Sequence, residues 1–147
     1  MEKKNIYNVN IELLKKFQPI KLYIVGSIAR KEENPKDLDY VTLEDLKNIA
    51  KKIPDEDINE LGTRHLNFNY CGYSVDVWRA KNLDELRTMF VMRSIDKIHN
   101  IAYRKIAKRK DWKLSDTGLW DNEGNRIIFK DEQELRKILE VKEKQKS

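Results

Sequence analysis

The sequence predicts an α+β protein with a mixed sheet in its first part and mainly helices afterwards. Three stretches alternate between apolar and polar residues with the period of a strand, at residues 37–42, 64–70 and 73–79. After residue 82 the apolar spacing is mostly helical, and Asn82 is a suitable N-cap there. This change of pattern divides the chain into a first lobe, residues 1–82, and a smaller second lobe, residues 83–147.

Turn and cap residues set the order of elements in the first lobe. Asn10 can cap a helix that Pro19 ends, Gly26 interrupts a compact β-rich run, and Cys71 with Gly72 joins two alternating runs as a hairpin. We therefore expect a helix at 11–17, a strand at 21–25, a helical turn at 28–33, a strand at 37–42, a helix at 43–53 and hairpin strands at 64–70 and 73–79.

The second lobe is predicted to hold helices around a small hairpin. Asn82 and Asp131 are the caps of the first and last of its helices, and Gly124 lies in a polar turn between strands. We expect helices at 83–92, 95–109 and 132–140, short strands at 113–120 and 126–129, and a charged tail that frays after the last helix.

Composition excludes several classes of protein. The chain has 147 residues, of which 37% are charged and 39% hydrophobic, as in a protein with a heavily charged surface. No apolar run approaches the roughly 20 residues of a membrane helix, and the start lacks a secretory apolar core. The single Cys71 excludes an intramolecular disulfide and a cysteine zinc cage, which favours a reducing, intracellular setting.

Positive charge is concentrated in the second lobe. The chain carries 30 basic and 25 acidic residues, a net charge of +5, and residues 83–147 contribute +4 of it. Residues 97–113 alone carry +6, with no acids placed to pair four residues away. Such a run is often just a solvated helix face. The missing acids favour a phosphate-facing surface instead, formed by Lys105, Lys108, Arg109, Lys110 and Lys113.

A helical turn that follows a buried strand has the features of a phosphate site. The N-terminus of a helical turn presents free backbone N–H groups to an anion. Gly26 allows close approach of the backbone, and the Ser27 hydroxyl can donate a hydrogen bond to a phosphate oxygen. Arg30 follows one turn later on the same face, where its guanidinium can hold a second phosphate.

Three aspartates complete this candidate site. Asp37 and Asp39 leave the same face of one strand, and Asp76 lies within another strand between two valines. Converging carboxylates repel each other unless a divalent cation lies between them, and Mg²⁺ prefers carboxylates together with phosphate oxygens. Taken alone, Asp76 could instead pair with Arg64 or Arg79. The combination of motifs predicts a metal-dependent nucleotidyl-transfer site.

The residues Gly26-Ser27-Ile28-Ala29-Arg30 and Asp37-Leu38-Asp39 resemble the signature of the polymerase-beta-like nucleotidyltransferase superfamily. The resemblance implies a mixed palm sheet with flanking helices, two Mg²⁺ ions that Mn²⁺ can replace, and release of pyrophosphate. It implies that Asp37, Asp39 and Asp76 are the catalytic metal ligands, and that Ser27 and Arg30 bind the triphosphate beside Gly26.

The second lobe resembles the C-terminal subdomain of family X DNA polymerases. The resemblance rests on Asn100 and Arg104 four apart on a helix, on Leu114 to Leu119 as a Gly-Leu strand segment, and on the final acidic-start helix. It implies that Asn100 and Arg104 face the nascent base pair. Reduced viral polymerases of this family likewise keep only the palm and C-terminal lobes. We expect an intracellular setting, in the cytoplasm, or virus-associated for a viral source.

This sequence departs from the family pattern at three places. Lys31 stands where the family usually has glycine, and Ser74 stands where the family often places an arginine. Residues 92–95 replace an aromatic segment that contacts the incoming sugar, which leaves the choice between deoxy- and ribonucleotides open.

The leading hypothesis is a monomeric, DNA-directed DNA polymerase that adds dNTPs at gaps or nicks in double-stranded DNA during repair. Three alternatives stay open: a nucleotidyltransferase acting on a protein or small molecule, a template-independent 3′-end transferase, and a DNA-binding module without catalysis. His65 and His99 are interpreted as surface or hydrogen-bonded histidines.

Overall fold

The computed structural model describes residues 3–146, with side chains through residue 140. The chain divides between Lys81 and Asn82 into two compact units, and each has its own hydrophobic core. Helices and a mixed sheet in these units confirm the predicted α+β class. Within residues 3–146, no helix is both long enough and apolar enough to pass through a bilayer.

Five strands among the described residues of the first unit form one mixed sheet. They are β1 (Tyr23–Val25), β2 (Asp37–Thr42), β3 (Ile58–Leu61), β4 (His65–Tyr70) and β5 (Tyr73–Arg79), in the spatial order β1-β2-β5-β4-β3. Strands β2 and β5 run parallel, and the other neighbouring pairs are antiparallel. Strand β3 was not predicted, because most of its residues are exposed, and buried and exposed residues do not alternate along it.

The hairpin between β4 and β5 turns at Cys71 and Gly72, as predicted. Both residues adopt positive φ angles, 51° and 83°, as a two-residue type I′ turn requires. This tight turn fixes the register, which pairs Tyr70 with Tyr73 and continues outward one residue at a time. The turn therefore determines which side chains lie opposite Asp76.

The helices of the first unit differ from the prediction at their ends. They are α1 (Ile6–Phe17), the single turn α2 (Gly26–Ala29) and α3 (Leu46–Ala50), with a 3-10 turn at Asp55–Asp57. Asn10 does not cap α1: the cap is Asn5, whose side chain accepts a hydrogen bond from the Tyr7 amide. Asn10 is buried because it faces the sheet together with Ile6, Val9, Leu13 and Phe17.

One face of the sheet packs into the core and the other carries polar side chains. Leu38 and Tyr40 on β2, Leu66 and Phe68 on β4, and Val75 and Val77 on β5 are all fully buried. The residues between them in sequence, including Asp39, Asn67 and Asp76, are only partly buried. Alternation at these positions thus separates the core from a half-open polar face, while Val41 and Thr42 at the end of β2 are also buried.

A buried hydrogen bond joins α1 to the sheet, and its loss is expected to destabilise the first unit. The Tyr40 hydroxyl donates to Asn10 Oδ1 at 2.6 Å, and burial raises the pKa of Tyr40 well above its usual range. Tyr40→Phe leaves that carbonyl buried without a donor, which costs about 1–3 kcal/mol. We expect the free energy of unfolding to fall by this amount, as measured by urea-dependent hydrogen exchange of peptides covering residues 37–42.

Tyr70→Phe is the matched control for this substitution. Tyr70 lies on β4, and its hydroxyl makes no hydrogen bond with the described residues. Its removal is expected to change the exchange free energy by less than about 0.5 kcal/mol, as at most surface sites. Equal destabilisation by both substitutions would show that the Tyr40–Asn10 bond contributes nothing specific.

The second unit contains α4 (Leu83–Ser94), α5 (Lys97–Arg109), β6 (Lys113–Ser115), β7 (Gly118–Trp120), β8 (Arg126–Ile127) and α6 (Glu132–Lys146). The three strands pair antiparallel in the order β6-β7-β8. Its core includes Met92, Ala107, Leu119, Phe129 and Leu135.

The predicted caps Asn82 and Asp131 are confirmed. Asn82 Oδ1 accepts a hydrogen bond from the Glu85 amide, and Asp131 Oδ1 accepts one from the Glu134 amide. Other boundaries move. Helix α5 begins after Asp96, which caps it, and the predicted single strand at 113–120 is two strands joined by a turn. Helix α6 continues to Lys146, whereas sequence analysis ended it at residue 140.

Candidate active site

The predicted carboxylates lie on the polar face of the first sheet. In the parallel pair β2–β5, Asp39 is the register partner of Asp76, and Asp37 is the partner of Ser74. Neighbouring strands are about 4.8 Å apart and register partners leave the same face, so Asp39 and Asp76 are adjacent. Asp37 lies two residues earlier on the same face and is exposed.

Gly26 brings the backbone against one of these carboxylates. It follows β1, whose last residue, Val25, is the register partner of Asp39. Its φ is +72°, and a Cβ atom built there would lie 2.6 Å from Asp39 Oδ2. Any other residue would therefore be strained in its backbone, and the Asp39 carboxylate would have to shift to make room for its Cβ atom. The structure thus places the Gly26-Ser27 turn directly beside Asp39.

Arg30 is engaged within the chain. It is the C-cap of α2, and its guanidinium donates from Nε and Nη2 to Glu32 Oε2 at 2.8 and 2.7 Å. A phosphate that bound the Nε and Nη2 edge of Arg30 would have to replace Glu32, whereas Nη1 donates no hydrogen bond to Glu32. Lys31, where the family usually has glycine, adopts a φ of +57°, a left-handed conformation that glycine adopts without strain.

Asp76 is held by two neighbours that sequence analysis did not assign. Its Oδ1 lies 2.7 Å from His65 Nε2 and accepts a hydrogen bond from Asn67 Nδ2 at 2.9 Å. Neither of the two arginines considered from the sequence pairs with Asp76. Arg64 donates instead from Nε to the backbone carbonyl of Arg79.

His65 is fixed on three sides. Its Nδ1 lies 2.9 Å from Glu60 Oε1, its Nε2 contacts Asp76, and its ring stacks on Trp78 with centroids 3.9 Å apart. The two-residue hairpin turn was the signal that could have found this arrangement. It places Asn67 opposite Asp76 and His65 opposite Trp78.

The aspartates suit Mg²⁺ that binds together with a nucleotide. Among the side chains of residues 3–140, no group of three or more His, Cys, Asp or Glu is arranged to hold a metal by itself. Mg²⁺ does not require such a group, because it takes one or two carboxylates and completes its shell with phosphate and water oxygens. Asp39 and Asp76, adjacent in register, supply two carboxylates, and Asp76 Oδ2 accepts no hydrogen bond from the described residues.

In the second unit, Asn100 and Arg104 are linked to each other on one face of α5. Arg104 Nε donates to Asn100 Oδ1 at 2.6 Å, and Asn100 Nδ2 donates to the Met92 carbonyl at 2.8 Å. Arg104 and Arg93 each donate from Nη2 to Asp116, at 2.6 and 2.9 Å. The sequence does not predict that Asp116 and Arg93 join this group, because both are far from Arg104 along the chain.

The basic residues of α5 form an exposed surface. Lys105, Lys108 and Arg109, here called the basic face, are exposed and line one shallow hollow. Lys113 is also exposed, on β6. Lys110, also predicted to face phosphate, does not belong to this exposed surface, because it is only 3% exposed and its Nζ lies 5.8 Å from the Trp112 ring centroid.

The second unit matches a known domain. It combines helices, a three-stranded sheet and the basic face. Residues 94–144 match the family model described as DNA polymerase beta thumb. The match supports a relation to the polymerase-beta-like family X, a DNA-polymerase-like role and DNA binding. No curated protein matches the chain.

Proposed function

We propose that this protein is a reduced family X type DNA polymerase that adds dNTPs to a DNA 3′-hydroxyl at short gaps during repair. The observation that carries the proposal is the pairing of Asp39 with Asp76 beside the Gly26-Ser27 turn, in a chain whose second unit matches a polymerase thumb. The first unit would be the palm and the second would bind the nucleotide and DNA. We expect an intracellular monomer.

Each group in the first unit has a chemical role in this proposal. Asp37, Asp39 and Asp76 would hold two Mg²⁺ ions, and these ions would supply the charge that stabilises the attacking and leaving oxygens of an in-line displacement. Gly26 and Ser27 present backbone N–H groups and a hydroxyl to the triphosphate. Asp76 would lie nearest the 3′-hydroxyl, as the family resemblance implies, and pyrophosphate would be the product released.

A template-independent 3′-end transferase is the second candidate. Arg104, expected to inspect the base pair from the minor groove, is bound to Asn100 and Asp116 in this structure. The guanidinium edge formed by its Nε and Nη2 can make a bidentate contact with base edges only after it exchanges these partners. This engagement favours weak dependence on the template.

Extension of a labelled primer distinguishes the two candidates. The substrate is DNA with a one-nucleotide gap, supplied with Mg²⁺ and each of the four dNTPs in turn. We expect addition of the complementary nucleotide only. Addition of any nucleotide, or addition to single-stranded primer, would establish the end transferase. Absence of addition to DNA that is nevertheless bound would contradict both and direct the search to protein or small-molecule acceptors.

A further inference from the structure

The environment of Asp76 differs between its two carboxylate oxygens. Oδ1 is contacted by His65 Nε2 and Asn67 Nδ2, at 2.7 and 2.9 Å, whereas Oδ2 accepts no hydrogen bond from the described residues. A carboxylate fixed at one oxygen loses rotation about its Cβ–Cγ bond. Its second oxygen then stays in one direction and keeps its lone pairs for a ligand.

The two donors are themselves held in place. His65 is fixed by Glu60 at Nδ1 and by the stacked Trp78 ring, and its side chain is 19% exposed. The two N–H groups of the Asn67 amide are shared among Asp76 Oδ1, the Ser74 hydroxyl at 3.0 Å and the Val75 carbonyl at 3.2 Å, and the Asn67 Oδ1 accepts from Asn59. Side chains locked in this way orient a neighbouring ligand group better than mobile ones do.

We propose that His65 and Asn67 are positioning residues that clamp Asp76 Oδ1 and so present Oδ2 to the catalytic metal and the primer terminus. This inference rests on the proposed function. Glu60 and Trp78 contact His65 rather than Asp76. They hold the imidazole ring in the orientation in which its Nε2 contacts Asp76. Loss of a hydrogen bond to a metal-ligating side chain commonly lowers metal affinity or activity 10- to 100-fold.

Two substitutions at His65 separate the hydrogen bond from the stacking. His65→Gln retains an N–H donor of similar reach and loses the aromatic ring. His65→Phe retains a ring that can stack on Trp78 and loses both nitrogens. A positioning role requires the donor, so we expect His65→Phe to lower kcat for gap filling about 10- to 100-fold. His65→Gln is expected to stay within about threefold of the wild type, and KM for the gapped DNA should not change in either variant.

A binding measurement independent of turnover completes the test. Mn²⁺ affinity in the presence of a non-hydrolysable dNTP analogue is measured by electron paramagnetic resonance, without DNA. We expect a 10- to 100-fold weaker affinity for His65→Phe and for Asn67→Leu. His99→Ala, at the chain's other histidine, is the control and is expected to match the wild type. Circular dichroism and thermal melting confirm that each variant folds.

The outcomes distinguish this inference from the function on which it rests. Wild-type chain that binds no Mn²⁺ with nucleotide and extends no primer would overturn the proposed function, and the clamp with it. Active wild type with a fully active His65→Phe, or with His65→Gln as impaired as His65→Phe, would overturn the clamp alone. In the second case an N–H donor at this position would not suffice, and the whole imidazole, with its ring and its nitrogens, would be required.

Discussion

Asp39→Asn is expected to abolish primer extension while leaving the fold intact. Asp39 lies beside both Asp76 and the Gly26-Ser27 turn, so its carboxylate is shared by the metal and nucleotide parts of the proposed site. An amide of the same shape has no charge to offset a divalent cation. Metal ions contribute several kcal/mol to such reactions, and each 1.4 kcal/mol or so changes the rate tenfold. We expect a loss of at least about a thousand-fold, measured as single-turnover filling of a one-nucleotide gap.

Asp55→Asn provides the matched control for charge. Asp55 begins the exposed 3-10 turn and is not among the predicted site residues, so its substitution should leave the rate within about twofold. Thermal melting of both variants must resemble that of the wild type. If folded Asp39→Asn retains near-normal polymerisation, then β2 does not carry the metal ligands and the assignment of this site fails.

Local patterns were sufficient to predict strands in the first unit. The bounds of β2 and β5 agree with the prediction, because apolar and polar residues alternate over most of both strands and a two-residue turn fixes the start of β5. Helix starts were harder to predict. Asn5 and Asn10 are equally good caps by residue type, and only packing decides between them, since Asn10 faces Tyr40 across the core.

In the candidate site, too, local motifs predicted some residues, whereas others come together only in the folded structure. Gly26, Asp39 and Asp76 were found from motif and spacing, and the sheet register then shows the two aspartates to be neighbours. Their polar neighbours were not found, because His65 is an ordinary residue until the hairpin register places it near Asp76. The burial of Lys110 is likewise a tertiary effect, which the charge pattern along α5 cannot reveal.

Removal of the basic face is expected to weaken DNA binding strongly and to reduce its dependence on salt. Lys105, Lys108 and Arg109 are exposed together on α5, in the unit that matches a polymerase thumb. Each phosphate neutralised by a cation adds about 0.9 to the slope of log affinity against log salt. The triple alanine variant should therefore lower that slope by about 2.7. Between 50 and 200 mM salt, the wild type should lose about 40-fold more affinity than the variant.

The triple variant Lys47→Ala, Lys51→Ala and Lys52→Ala tests whether position or net charge matters. These lysines are exposed in and just after α3 of the first unit, and their removal changes the net charge by the same amount. Binding of labelled gapped DNA is followed by fluorescence anisotropy at several salt concentrations. A lower slope only in the α5 variant would locate the phosphate contacts on the basic face. Equal slopes in the two variants would show that α5 makes no specific phosphate contacts and that overall charge alone attracts the DNA.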